Sequence, residues 1–320
     1  MTMQHPPGFG LRIPVFVAPM FLVSGPDLVI AACKAGVAGA FPTPNARPVA
    51  VLDEWLDRIA SELATHRAAH PDAVTGPVCV NLITHSSNAR LADDLKIVAR
   101  HKPPILISAL GSPRPAVEAA RDWGGKVFAD VTTPALARKA IAAGADGLIC
   151  VCAGAGGHTG QISPFAFVRA VREFFPGPLV VGGGIADGWS LAGAIAAGAD
   201  FAYVGTRFIA ATESMAKQDY KQCLTETGID DLVLSAGVTG TPALWIRGSL
   251  RANGYDPDAM PSAPARNYDS NVKVEGTRWL NVWSAGQGVG AIAAVEPLAA
   301  IVDRMEQQYR AATARIGAIA

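Results

Sequence analysis

A single histidine lies in a glycine-rich stretch that follows an apolar run of the chain. Residues 152–160 read CAGAGGHTG, with four glycines in nine residues around His158. Such a loop has little bulk for packing, which favours a functional role for the imidazole. An imidazole titrates near neutral pH and can act there as a general base. His158 is therefore the candidate catalytic residue, although the neighbouring sequence does not show which group orients it.

Two further glycine clusters each follow an apolar run. The first is Gly182-Gly183-Gly184, and the second is Gly205, directly before Thr206. Glycine lets a backbone approach a ligand closely, and the N-terminus of a helix favours an anion. Each cluster alone is equally consistent with a tight turn. Two clusters at matched positions predict a binding site for a phosphate group.

The other histidines are weaker candidates. His66 and His70 have the i, i+4 spacing of a metal-binding pair, but HRAAH lacks the glutamate of a zinc motif and an obvious third ligand. A solvated helix face explains this pair, and we expect no metal. His85 follows the third apolar run and is a candidate residue of the substrate pocket.

The composition predicts a globular protein that acts on a small molecule. Half of the 320 residues are apolar and 17% are charged, which allows a large buried core. Lys+Arg and Asp+Glu balance at 27 each, so neither nucleic acid nor a membrane surface is an expected partner. We expect no signal peptide and no membrane-spanning segment, and the five cysteines show no zinc-like pairing. The expected location is the cytoplasm.

Eight short apolar runs alternate with helical patterns along the chain. They begin near Val15, Ala38, Pro77, Ile105, Lys126, Gly147, Leu179 and Phe201. This alternation predicts βαβ units and a parallel sheet. An open doubly wound sheet would look similar unit by unit, but eight units favour a closed (β/α)8 TIM barrel. The similar segments KAGVAG, AAGADG and AAGADF, which start at residues 34, 142 and 196, each predict a helix that ends at a glycine before the next strand.

The alternation stops after the eighth predicted strand. Residues 212–285 are denser in Pro, Tyr and Trp and show little periodicity. We interpret them as an insertion, or lid, over the barrel mouth, where active sites of this fold are built. A surface elaboration without a functional role is the alternative. The predicted domains are a cofactor-binding barrel over 1–211, the insertion over 212–285, and a C-terminal helix over 286–320 that completes the barrel.

Several motifs together resemble the nitronate monooxygenases, formerly called 2-nitropropane dioxygenases. They are VAPM (17–20), VNL (80–82), AGAGGHTG (153–160), VVGGGIADG (180–188) and YVGTRFIAATES (203–214), with a weaker match in WSAGQGVG (283–290). The resemblance implies a metal-free, FMN-dependent barrel enzyme that oxidises alkyl nitronates, or nitroalkanes, with O₂. His158 matches the family's GGH histidine, which would take the α-proton of a nitroalkane or assist attack on a bound nitronate.

The resemblance also implies where the cofactor and the substrate bind. The FMN phosphate would be held by Gly183, Gly184, Gly205 and Thr206. Other positions at the ends of the predicted strands are expected beside the cofactor: Ala18, Pro19, Met20, Asn81, Asp130, Gly156, Gly157 and Gly182. His85 and Gln287 are expected in the substrate pocket.

Two departures from the family's pattern leave the substrate open. Phe21-Leu22-Val23-Ser24 stands where the family commonly has small, glycine-rich residues, and residues 240–285 have no counterpart. Relatives with this barrel reduce quinones or enoyl thioesters with NAD(P)H, which is the alternative activity. A non-flavin barrel that binds a sugar phosphate and a catalytically idle flavin-binding protein are further alternatives. The apolar helices are consistent with a monomer or a homo-oligomer.

Overall fold

The short apolar runs form the wall of a closed parallel barrel. The structure is a computed structural model and describes residues 9–265 and 281–319. Its strands are β1 (Val15–Val17), β2 (Ala38–Pro42), β3 (Val78–Ile83), β4 (Ile105–Ala109), β5 (Lys126–Val131), β6 (Gly147–Val151), β7 (Gly157–His158), β8 (Leu179–Gly182), β9 (Phe201–Val204), β10 (Leu232–Ser235) and β11 (Ala243–Ile246). Strands β1 to β6, β8 and β9 form the barrel, and pairing of β9 with β1 closes it. The predicted (β/α)8 fold is confirmed.

The strands alternate with α-helices, most of which cover the outside of the barrel. They are α1 (Pro26–Lys34), α2 (Ala50–Ala69), α3 (Leu91–His101), α4 (Arg114–Ala120), α5 (Pro134–Ala142), α6 (Pro164–Arg172), α7 (Gly188–Ala196), α8 (Thr206–Ile209), α9 (Gln218–Glu226), α10 (Arg247–Ala252) and α11 (Leu298–Gly317), with short 3-10 helices at Thr43–Asn45, Arg121–Trp123, Ile229–Asp231 and Gln287–Ala291. Gly36, Gly144 and Gly198 have φ of 83°, 95° and 109°. Because other residues rarely adopt this conformation, these glycines end α1, α5 and α7 as predicted.

Aromatic rings fill the barrel interior. Phe9, Phe16, Phe128 and Phe201 pack together with ring centroids 5.2 to 6.2 Å apart. Side chains alternate between the two faces of a strand, so a residue two positions beyond an interior phenylalanine also faces the interior. That next layer lies nearer the carboxyl ends of the strands. It forms the floor of the barrel mouth.

The last long helix completes the outer layer. Helix α8 has only four residues, and α11 packs between α7 and α1 in its place. Helix α11 begins at Leu298 and not near residue 286, where the sequence pattern predicted it to start. Gly288 and Gly290 disfavour a helix, and Pro297 immediately precedes α11. Across residues 9–265 and 281–319, no helix combines the length and apolar character needed to cross a membrane.

The segment after β9 has its own small core. Strands β10 and β11 form a three-stranded antiparallel sheet with β7, which belongs to the loop after β6. Trp245 is buried within this segment. Tyr220 stacks on Trp283, with ring centroids 5.1 Å apart, and its hydroxyl donates to the Ser284 carbonyl. The sequence of this segment shows little periodicity because its helices and strands are short and pack on one another.

Candidate active site

Polar side chains line the floor of the barrel mouth. Asp130 and Tyr203 lie two residues beyond the interior Phe128 and Phe201, and Asn81 occupies the corresponding layer on β3. The two-residue alternation of a strand therefore brings these three side chains together above the aromatic rings. The layer changes from apolar to polar at the end of the barrel where ligands bind in this fold.

Two of these side chains have buried polar atoms without a partner among the described residues. They are Oδ1 of Asp130 and the hydroxyl of Tyr203. Burial raises the pKa of Asp130 to about 7. Burial, with the nearby Asp130 charge, also raises the pKa of Tyr203 well above its ordinary value. Because an unpaired buried polar group costs roughly 1–3 kcal/mol, this pair fits a ligand that carries hydroxyl groups.

The chain turns sharply on two glycines where β8 ends at Gly182. Gly183 has φ of 143° and Gly184 has φ of 70°. A Cβ at Gly183 would lie 2.6 Å from the Ala153 carbonyl oxygen, whereas one at Gly184 would meet no atom within 4 Å. Gly183 is thus needed for packing, and Gly184 leaves space open. The Gly184 N–H donates to the Gly154 carbonyl (3.1 Å), so this N–H does not face the mouth.

The second glycine turn lies beside the loop after β1. A Cβ at Gly205 would be 3.6 Å from both Ala18 Cβ and Met20 Sδ. Thr206 begins α8, and its Oγ1 accepts a hydrogen bond from the Gly286 N–H (2.8 Å). The structure therefore brings these predicted cofactor residues of β1 and β9 side by side. It adds Gly286, which the sequence analysis did not single out.

The glycine-rich loop after β6 packs against the chain around Gln287. The Gln287 N–H donates to the Gly154 carbonyl (2.9 Å). A Cβ at Gly154 would lie 2.6 Å from Gln287 Oε1, and one at Gly156 would lie 2.8 Å from Thr206 Oγ1. These close approaches explain why the loop is rich in glycine. The loops after β6, β8 and β9 meet at one side of the mouth.

His158 lies at the exposed edge of this cluster in strand β7. Backbone pairing with β11 sets His158 opposite Ala243 and Gly157 opposite Leu244. The sequence indicated a loop with little packing, but the structure shows that backbone hydrogen bonds to a distant segment hold it in place. The imidazole therefore projects from a defined strand.

The two predicted substrate residues lie on different sides of the mouth. His85 follows β3, and its Nδ1 shares a hydrogen bond with Ser87 Oγ (2.8 Å). Gln287 packs at the loops after β6 and β8, and β8 lies across the barrel from β3. Gln287 thus belongs to the glycine cluster, whereas His85 does not.

Tyr203 is a site residue that the sequence analysis missed. The signal was present in the strand sequence FAYV (201–204), because alternation from Phe201 places Tyr203 in the interior. A tyrosine near the end of a barrel strand is equally consistent with a packing role. The position of Asp130 near the Tyr203 hydroxyl favours a role in the site.

The fold and the site define a class: (β/α)8-barrel enzymes that bind their ligands at the carboxyl ends of the strands. The chain belongs to the nitronate monooxygenase family, whose sequence profile matches residues 8–303. It is therefore a flavin-dependent oxidoreductase, which decides against a sugar-phosphate barrel.

The individual relatives include a named nitronate monooxygenase and a named dehydrogenase. A nitronate monooxygenase of Paraburkholderia phytofirmans is 27% identical over 95% of this chain and 94% of its own length. A Mycobacterium tuberculosis protein named as an octahydro-1H-indene-4-carboxyl-CoA dehydrogenase is 27% identical over 75% of this chain and 65% of its own. The structure of a nitroalkane oxidase from Streptomyces ansochromogenes superposes with a TM-score of 0.76 at 24% identity, covering 96% of this chain and 98% of that one. This last likeness supports the fold.

Proposed function

We propose that this enzyme binds FMN in the barrel mouth and oxidises alkyl nitronates, or their parent nitroalkanes, with O₂. The observation that carries the proposal is the pair of unpartnered polar atoms on Asp130 and Tyr203, at the same end of the barrel as the two glycine turns. The ribityl chain of FMN has hydroxyl groups that can donate to Asp130 and accept from Tyr203. Its phosphate suits the open space beside Gly184 and the start of α8 at Thr206.

The residues in the mouth divide by the part of FMN that they would contact. Four would hold the phosphate: Gly183, Gly184, Gly205 and Thr206. The remaining cofactor residues would line the ribityl chain and the ring: Ala18, Pro19, Met20, Asn81, Asp130, Gly156, Gly157 and Gly182. When bound, the flavin would supply an acceptor for the electrons of the substrate and a donor of electrons to O₂.

His158 would accept the proton that the substrate loses. A nitroalkane must lose its α-proton, and an exposed imidazole on a fixed strand can accept it. A preformed nitronate has already lost this proton, and His158 would then contact the anion. His85 and Gln287 would border the substrate from different sides.

The alternative is NAD(P)H-dependent reduction of quinones or enoyl thioesters by the same flavin. The relative named as a carboxyl-CoA dehydrogenase favours this alternative. Both activities use the same barrel and cofactor, so the electron donor distinguishes them.

Anaerobic mixing of the purified holoenzyme with one donor at a time tests the proposal. We expect an alkyl nitronate to bleach the absorbance of the oxidised flavin within the time of one turnover. NADH and NADPH should leave the flavin oxidised. Admission of O₂ should restore the oxidised spectrum. Rapid bleaching by NADH or NADPH, with none by the nitronate, would replace the proposed activity with the reductase.

We further propose that the insertion, residues 212–285, of which 266–280 lie outside the described residues, closes over the flavin. The support is the pairing of β11 with β7, which joins the described part of the insertion to the loop that carries His158. A lid there would exclude water from the ring. Limited proteolysis of the holoenzyme should cleave the insertion more slowly when a substrate analogue is bound. Equal cleavage with and without the analogue would contradict a lid, and cleavage in a denatured sample controls for protease inhibition.

A further inference from the structure

A single tyrosine hydroxyl of the insertion bonds to both backbone groups of one residue. Tyr220 lies on α9, and its hydroxyl donates to the Ser284 carbonyl (2.5 Å) and accepts from the Ser284 N–H (3.3 Å). The Tyr220 ring is buried and stacks on Trp283. Burial raises the pKa of Tyr220 to about 12, so the hydroxyl keeps its proton and remains a donor at neutral pH. Removal of this one hydroxyl would take away both hydrogen bonds to Ser284.

Two residues after Ser284, the chain reaches the turn where we place the flavin phosphate. The Gly286 N–H donates to Thr206 Oγ1 (2.8 Å). Ala285, the one residue between Ser284 and Gly286, is fully buried. A Cβ at Gly286 would lie 2.8 Å from the Gly156 nitrogen, so the chain is closely enclosed there as well. A shift at Ser284 would therefore move the N–H that binds Thr206.

The hydroxyl of Thr206 still has its own hydrogen to donate. A hydroxyl group can donate one hydrogen bond and accept two. Thr206 Oγ1 accepts from Gly286, and no group within residues 9–265 and 281–319 accepts the hydrogen of Thr206. Thr206 is half-buried and follows Gly205 at the carboxyl end of β9. An oriented O–H donor at this position suits a phosphate oxygen, because hydrogen bonds to a charged acceptor are the stronger ones.

We propose that Tyr220 is a positioning residue for the flavin phosphate. It fixes Ser284, and through Gly286 it holds the Thr206 hydroxyl so that the hydroxyl hydrogen is directed at the phosphate. The insertion is then a working part of the cofactor site and not a surface elaboration. This inference rests on the FMN site of the proposed function, but it does not depend on the substrate that the flavin oxidises.

Dissociation of two flavins from the full-length holoenzyme tests this role. The enzyme is loaded with FMN or with riboflavin, which lacks the phosphate, and the fluorescence of the flavin released on dilution gives each dissociation constant. Tyr220→Phe keeps the stacked ring and should raise the constant for FMN about 10-fold, as expected for a hydrogen bond to a charged group. The constant for riboflavin should stay within about twofold. A variant that only destabilised the fold would weaken the binding of both flavins.

Three further variants locate the effect. Thr206→Val removes the hydroxyl directly and should raise the FMN constant at least as much as Tyr220→Phe. The double variant should bind FMN no more weakly than Thr206→Val, because both changes remove the same contact. Tyr255→Phe is the matched control in the insertion, since the Tyr255 hydroxyl has no hydrogen-bond partner among the described residues. It should leave both dissociation constants unchanged.

Hydrogen exchange of the wild-type holoenzyme tests the same link without a variant. Coupling between two sites is reciprocal, so a phosphate that depends on this segment must also stabilise it. FMN should therefore slow exchange of the amides of residues 284–286 more than riboflavin does. Equal protection by the two flavins, or equal weakening of both in Tyr220→Phe, would overturn the role of Tyr220.

The same measurements separate failure of this inference from failure of the proposed function. If Thr206→Val weakens FMN binding and Tyr220→Phe does not, the phosphate site stands and the role of Tyr220 is wrong. If Thr206→Val binds FMN as tightly as the wild type, the phosphate lies elsewhere, and both the proposed phosphate site and this inference fail. A flavin that no nitronate bleaches would refute the proposed activity and leave the role of Tyr220 intact.

Discussion

Replacing His158 with Asn is expected to lower turnover of a neutral nitroalkane by about 10²- to 10⁴-fold, the usual contribution of a positioned base. The α-proton must leave before or while electrons reach the flavin, so the loss falls on the step that the imidazole assists. Oxidation of the corresponding preformed nitronate should slow much less, because that proton is already gone. Steady-state rates with nitroethane and ethyl nitronate measure both effects.

The position of His158 makes this substitution specific. Pairing of β7 with β11 uses backbone groups, so Asn at this position should leave the strand and the flavin content intact. His70→Asn, at the exposed end of α2, is the matched control and should change neither rate. Equal losses on nitroalkane and nitronate would mean that His158 positions the anion and does not move a proton. No loss on either would favour the reductase.

Replacing Gly184 with Val is expected to yield folded protein that purifies without flavin. A Cβ at Gly184 would project into open space where we place the phosphate, and the β-branched side chain would block its approach. The ratio of flavin absorbance to protein absorbance measures the occupancy. Addition of FMN to the variant should not restore the colour.

Backbone strain needs its own control, because Gly184 has φ of 70°. Gly124 has φ of 73°, also has no atom within 4 Å of a built Cβ, and lies just before β5, at the opposite end of the barrel. Both Val variants should lose stability by on the order of 1–2 kcal/mol, but Gly124→Val should keep its flavin. If Gly184→Val keeps its full flavin content, the phosphate does not bind beside Gly184. The open space beside Gly184 would then be part of the apolar cleft of about 300 Å³ between α6 and α7, which Gly184 also lines.

The sequence by itself determined the barrel, because the features that specify it are local. Each strand is a short apolar run, and each of Gly36, Gly144 and Gly198 ends a helix through its own backbone conformation. Counting eight such units was enough to favour closure. The same local patterns located the mouth, since Gly183 and Gly205 follow directly after β8 and β9.

Tertiary structure decided what depends on residues far apart in the chain. The pairing of β7 with β11 fixes His158, yet β7 has only two residues and no strand pattern of its own. Whether a buried polar group is satisfied depends on all its neighbours together, so the unpartnered atoms of Asp130 and Tyr203 emerged only when the strands and loops were assembled. Local periodicity specifies which face a side chain occupies. It carries no information about the charge or hydrogen-bond partner that another strand brings to that face.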